Sequence, residues 1–362
     1  MMRNNSVSAW QVGILLFVLL LTNKILMLPS LLYEDAKLEV WIVLLVLFAF
    51  EMGLIVLFWR LKVKYPNQTF MSLMQAFFGK WVTKIFFVLV MLFCLGKALL
   101  LYNVTYIFFK SVIYKEANNL LYLIAFLPVV VHLAVSGLRV VGRTMQMFFP
   151  ALVVTILFCI GVGLLGAGET PLAFQSTGLA LTRSVFRHIS AFGDSIFLFL
   201  IMDKVKIEKG KWKVVFLFST FALVLVGAIC MVFVFSYSYT SFMHPFALFE
   251  IMSYVKEYGG LGRIDIVAIV LIIALTYFQL ALYLRMFVLS FDNVFVGLRV
   301  FYSVAIFVFL FVMLVTFVIL NVSKTILFGE KVLPYFAVLP FALLPVVVLV
   351  LLFGRRVKEG ET

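Results

Sequence analysis

The stretch "LLLTNKILMLPS", residues 19–30, closes the first long apolar run of the chain, and its reading decides the fold. The run begins near Trp10, yet Thr22, Asn23 and Lys24 stand where a helix in lipid would carry leucines. A Lys at the centre of a membrane helix costs about 2.5–3.5 kcal/mol on insertion scales, so it must face protein and find a partner. Pro29 then follows, a residue with no N–H to give to a continuing helix. The segment therefore reads as an interrupted membrane helix. Only Arg3 precedes the run as a basic residue and no small-x-small cleavage site follows, so it is expected to be a retained span, not a removed signal peptide.

The rest of the 362-residue chain supports a membrane setting. It is 65% hydrophobic and 12% charged, with mean hydropathy +1.20, whereas a soluble domain is about half apolar and about a quarter charged. Apolar stretches recur along the whole length and predict ten spans, near 9–28, 38–59, 81–109, 119–137, 146–166, 184–202, 213–239, 264–289, 298–320 and 334–353. The net charge of +13 sits in short Lys/Arg clusters between those runs. The richest are Arg60 to Lys84, Lys204 to Lys213, and Arg355 to Lys358, all on the even-numbered junctions or the termini, which predicts that both termini are cytoplasmic. That distribution explains the charge without nucleic acid, and no nucleic-acid partner is expected. The lipid bilayer is the expected surrounding.

No large soluble domain interrupts the spans. "HPFALFEIMSYVKEY", residues 244–258, places Phe246, Phe249, Met252 (or Ile251) and Val255 on one helical face and Glu250, Ser253 and Glu257 on another. Such a stretch either lies at the membrane interface or packs on neighbouring spans.

Each ionisable residue inside a span is a site candidate, because burying it in lipid is costly. The candidates are Lys24, Glu51, Lys97 and Asp194, with Gln279 as a neutral companion. Span 6 carries "SAFGDSIF", residues 190–197, with Gly193, Asp194 and Ser195 near its middle. Interruptions in spans 1 and 6 of ten are what a five-plus-five inverted repeat produces, dividing the single membrane domain into 1–170 and 180–362. In such folds the broken helices expose backbone groups at the midplane that can hold a small zwitterion or ion. Thr22, Asn23, Lys24, Gly193, Asp194 and Ser195 are the resulting candidate ligand-binding set.

Two readings of Lys24 and Asp194 stay open: a buried ion pair that ties spans 1 and 6 together, or a fixed positive charge that replaces a coupling ion or meets a substrate carboxylate. Glu51 is a proton-titrating carboxylate, a pairing group or a residue near the cytoplasmic surface, and the Lys97 stem can snorkel. The remaining polar residues carry less. His132, His188 and His244 are far apart, and Cys94, Cys159 and Cys230 all lie within apolar runs without metal-ligand spacing, so no metal or cofactor is expected. No nucleophile–base constellation, phosphate-cradling loop or zinc helix motif occurs, so no enzymatic activity is expected.

Several local motifs, in order, carry a family resemblance: "MLPS" closing span 1; "KYPNQTFMSLMQAFFGKWVTKIF" before and into span 3; "SGLRVVGRTMQMFFP" leading into span 5; "FGDS" in span 6; "HPFALFEIM"; and "GRIDIVAIVLIIALTYFQLALYL" at span 8. With these the chain resembles the B subunit of the spore germinant receptors (the GerAB family), a branch of the amino acid/polyamine/organocation permease superfamily. The resemblance implies an all-α, ten-helix permease-like fold in the inner membrane of a cell or spore. It also implies the sensing of amino acids or similar small nutrients to trigger germination, and partnership with a membrane-anchored A subunit and a lipoprotein C subunit. The rival expectations are a proton-coupled amino acid permease and a ligand-free scaffold for partner subunits. Two departures matter. The family's glycine-containing break before Ile-Leu-x-Leu-Pro is here Thr22-Asn23-Lys24, and Asp194 stands where the family often has Glu.

Overall fold

Residues 6–116, 118–165, 177–205, 210–258, 265–295, 300–317 and 327–354 are described by the structure, a computed structural model. Arg3 and, within the basic clusters, Lys206, Lys209, Arg355, Arg356 and Lys358 lie outside them, as do both termini. The described residues are helical almost throughout. In chain order the helices are α1 (Ala9–Leu26), α2 (Leu28–Ala36), α3 (Val40–Lys64), α4 (Phe70–Phe108), α5 (Asn119–Val135), α6 (Leu138–Leu165), α7 (Gly178–His188), α8 (Ile196–Leu200), α9 (Trp212–Tyr237), α10 (Ala247–Tyr258), α11 (Asp265–Val294), α12 (Val300–Phe317), α13 (Leu333–Val338) and α14 (Leu344–Phe353). Among the described residues, six helical stretches are long and apolar enough to cross a membrane: Ala9–Leu26, Leu28–Lys64, Phe70–Ile113, Leu138–Leu164, Trp212–Tyr237 and Ile266–Val294; α5, α12 and α14 supply shorter apolar helices. The chain is an all-helical, multi-pass membrane protein.

Six of the expected spans coincide with these long apolar stretches and three with the shorter apolar helices, while 184–202 is a broken run of short helical pieces. α6 starts at Leu138, ahead of the expected 146, because Arg139 and Arg143 continue the helix past its apolar stretch. α4 is bent at Gly79, whose φ of 79° and ψ of 170° leave helical space, a conformation open to glycine because it has no Cβ. The last run is built from α13 and α14, with one π-helical turn at Phe328–Val332 leading into α13 and another at Leu339–Leu343 joining the two. The amphipathic α10 is packed into the protein: Leu248, Ile251 and Met252 are buried, and it touches α6, α9 and α11.

α1 forms the buried axis. Every residue of it except Trp10 is buried, and it packs on α9, α6 and α11. A membrane helix with no lipid-facing side needs no amphipathic stripe, which is why its sequence is apolar all round. Its start is fixed by a capping box in which Ser8 and Gln11 exchange side chain and backbone hydrogen bonds. Just before it, Val7 N–H donates to Lys204 O at 2.9 Å in a parallel bridge between Val7 and Val205. Arg139 donates to Ser6 O and Ser6 Oγ, and Lys62 Nζ to Met202 O at 2.7 Å, so this end of α1, the end of α8, α3 and α6 are laced together.

The interruption of the first span differs in position from the expectation. Thr22, Asn23 and Lys24 stay helical, and the break falls at Met27 (φ −100°, ψ −17°) between α1 and α2. Thr22 Oγ1 donates to Val18 O at 2.8 Å, absorbing its polarity within the helix. No glycine stands there to ease unwinding, whereas Pro29, in the first turn of α2, cannot donate to the preceding turn. The sixth span breaks where expected: α7 ends at His188, a 3₁₀ turn covers Ile189–Ala191, Phe192 is extended, Gly193 takes φ 87°, and α8 begins at Ile196.

Candidate functional site: a charge network beneath a cavity

The polar residues that the sequence distributes over five spans converge on one place. Lys24 Nζ (α1) lies 2.8 Å from Asp194 Oδ2, and Lys97 Nζ (α4) lies 2.8 Å from Asp194 Oδ1. All three side chains are fully buried. Tyr283 of α11 donates its hydroxyl to Asp194 Oδ1 at 2.9 Å and receives a bond from Gln279 Nε2 at 2.8 Å. Gln279 Nε2 also reaches Leu19 O of α1. Lys97 Nζ further donates to Ala191 O at 3.0 Å. The Lys24 ammonium stands 4.8 Å from the centre of the Phe192 ring, a favourable cation–π arrangement.

Glu51 of α3 meets the other side of the same break. Its Oε2 accepts from Gly193 N–H at 2.6 Å, and its Oε1 accepts from Ser195 N–H at 2.8 Å and from Ser195 Oγ at 2.7 Å. The break frees backbone donors that lipid could not satisfy, and a carboxylate from a neighbouring helix takes them. Lys24, Lys97, Asp194 and Glu51 carry two positive and two negative charges in their ionised forms, and each charge has a partner at hydrogen-bond distance. Of the open readings, the ion pair between spans 1 and 6 is what the geometry contains, with Lys97 as a third member. Glu51 is hydrogen-bonded to the freed donors of Gly193 and Ser195.

A cavity of about 50 Å³ lies against this network. Asn23, Met27, Leu28 and Leu31 line it from the first break, Leu100 and Val104 from α4, and Arg187, His188, Ser190 and Ala191 from the second break, with Gly329 and Glu330 completing the wall. Asn23 is 7% exposed, and its carboxamide makes no hydrogen bond within the described residues. A buried carboxamide normally has its donors and acceptor filled, so this one is presented to whatever enters the cavity. The cavity is closed on one side by ionic contacts. Arg187 Nη1 lies 2.5 Å from Asp35 Oδ1, and its Nε lies 3.5 Å from Glu330 Oε2. His188 Nε2 stands 3.1 Å from Asp35 Oδ2, and Ser190 Oγ donates to Gly329 O at 3.1 Å. Burial pushes the Glu330 carboxyl above the ordinary glutamate range, and Arg187 opposes that only in part.

The candidate set is thereby divided. Asn23 faces the cavity, Lys24 and Asp194 lie in the network beneath it, Gly193 and Ser195 hold Glu51, and Thr22 is spent inside α1. Asp35, Arg187, His188, Glu330 and Tyr283 belong to the same assembly and were not singled out from the sequence as ligand-binding. Their one sequence signal is position: Asp35 closes the segment after Pro29, and Arg187-His188 immediately precedes "SAFGDS". Among the described residues no cluster of His, Cys, Asp and Glu has the form of a metal site.

Arrangements of this kind, with two broken helices meeting at a buried polar centre, occur in permease-like membrane proteins. The sequence model described as spore germination protein matches residues 6–328. The chain belongs to the spore germination protein family. The match spans both helix breaks, the charge network and all but the last wall residues of the cavity, Gly329 and Glu330. No curated protein matches the chain. This spore germination protein is thus a permease-like, multi-pass membrane protein connected with germination.

Proposed function

We propose that this spore germination protein is the membrane subunit of a nutrient-germinant receptor and senses a small molecule in the cavity between its two helix breaks. The observation that carries the reading is Asn23, a 7%-exposed carboxamide with no hydrogen-bond partner among the described residues, which lines the cavity beside the break after α1. The charges below it support sensing over cation-coupled uptake, because both oxygens of Asp194 are engaged by resident ammonium groups and those of Glu51 by Gly193 and Ser195.

In this reading the chain has ten spans in a five-plus-five inverted repeat, 1–170 and 180–362, with both termini cytoplasmic and the cavity toward the outer side of the inner membrane of the cell or spore. It works with an A subunit and a lipoprotein C subunit and carries out no catalysis. The ligand acts by its difference in affinity between two arrangements of the broken helices, and that difference sets the largest bias it can pass to partners. The test is deletion and complementation in a spore-former. Germination in response to a nutrient should be lost on deletion, restored by the parent chain and reduced by Asn23→Ala, while vesicles containing the chain alone show no uptake of labelled amino acids. Concentrative uptake driven by a proton gradient would overturn the reading in favour of a permease. An unchanged response in Asn23→Ala would leave the chain a scaffold.

A further inference from the structure

We infer that the cavity recognises its ligand through an amino group and an apolar body, and not through a carboxylate; the ligand class is a small primary amine. The inference rests on the sensing role proposed above. A carboxylate ligand needs a cation that is free to receive it, and each cation at the cavity is already held. Lys24 and Lys97 are both within 2.8 Å of Asp194, and Lys97 also bonds Ala191 O. Arg187 is held by Asp35 at 2.5 Å. A ligand carboxylate would have to expel one of these carboxylates, exchanging like for like and leaving the expelled one buried and unpaired.

The acceptors are in the opposite condition. Glu330 meets Arg187 through one oxygen at 3.5 Å and has no other ion pair or hydrogen bond among the described residues. Asp35 takes the closer contacts, with Arg187 at 2.5 Å and His188 at 3.1 Å, which leaves Glu330 the less engaged of the two carboxylates on this wall. Glu34 and Arg183 stand farther out, one of each sign. Asn23, on the same cavity, adds a carbonyl acceptor. An ammonium reaching Glu330 and Asn23 would therefore gain acceptor capacity left open among the described residues, while Met27, Leu28, Leu31, Leu100 and Val104 receive an alkyl chain. A cavity of about 50 Å³ suits a ligand of a few heavy atoms.

The experiment compares n-propylamine with propionate, binding each to the purified full chain in lipid nanodiscs by calorimetry at neutral pH. Propylamine should bind at least about tenfold more tightly than propionate, and Glu330→Gln should weaken it by about tenfold, the effect of one charge-assisted hydrogen bond. Asn23→Ala should weaken propylamine as well, with the variant's size-exclusion profile unchanged. Propionate binding as tightly as propylamine would overturn the inference and leave the sensing role standing. Binding of neither, together with an unaltered germination response in Asn23→Ala, would overturn both. If Glu330→Gln fails to fold, the comparison of the two probes on the parent chain decides alone.

Discussion

Asp194 holds two lysines at once, and that makes it the residue whose loss costs most. Asp194→Asn leaves two ammonium groups buried with a single neutral acceptor between them. Removing one partner of a buried ion pair destabilises by about 3–5 kcal/mol, so this variant should melt well below the parent in detergent, and parent-like melting would show that the network is not a lock. Lys24→Met should be milder, because Lys97 still pairs Asp194, and a double-mutant cycle between Lys24 and Lys97 should show strong non-additivity through the shared carboxylate. Glu51→Gln should cost about 1–3 kcal/mol, since a carboxamide can offer only one oxygen to donors that now meet two. These residues were legible in the sequence for the same reason that they matter: a charge in the middle of an apolar run must have a partner. Asp35, Arg187 and Glu330 were not, because near span ends charge costs little and carries no such message.

At the scale of the element, the two breaks are made by different means. The second is a glycine break, and Gly193→Ala should cost about 1–2 kcal/mol, because φ 87° brings a Cβ against the backbone. It should also loosen the hold of Glu51, read as faster hydrogen exchange at Gly193–Ser195. The first is a proline break placed by Pro29 and not by the polar triplet. Pro29→Ala restores a donor to the preceding turn and should let α1 and α2 run together. The expected result is a protein at least as stable thermally that has lost its ligand response; a retained response would detach the break from sensing. From the sequence both interruptions could be anticipated, yet the triplet drew attention four residues too early on its own helix. A polar side chain can be absorbed by back-bonding to the helix, as Thr22 shows, whereas a missing N–H cannot. The π-helical turns near Phe328–Val332 and Leu339–Leu343 left no recognisable mark in the apolar pattern, since bulk and polarity there fit an α-helix equally well.

For the whole molecule, pH should act through the cavity wall. Burial raises the Glu330 carboxyl above its ordinary range, so the folded protein keeps this proton more firmly than the unfolded chain does. Stability contributed by this group therefore rises as pH falls through the raised value and is lost as pH rises. Amine binding runs the other way, because it needs the ionised carboxylate. Titrating propylamine affinity downward from neutral should show weakening that begins above the usual glutamate range, in the field of Arg187, His188, Asp35 and Glu34, and the step should vanish in Glu330→Gln. Affinity that is flat over that range would remove Glu330 from recognition. The overall path of the chain, helix after apolar helix, was readable from hydropathy alone, while the meeting of spans 1, 2, 3, 6 and 8 at one buried centre is a long-range fact that no local pattern encodes.

The parallel bridge between Val7 and Val205 has a practical corollary. It joins the approach to α1 with the exit from α8, the two broken helices' far ends, on the side away from the cavity. A cysteine pair replacing Val7 and Val205 would turn this contact into a reversible tie: oxidised, it would fix the two segments together, and a reducing agent would set them free.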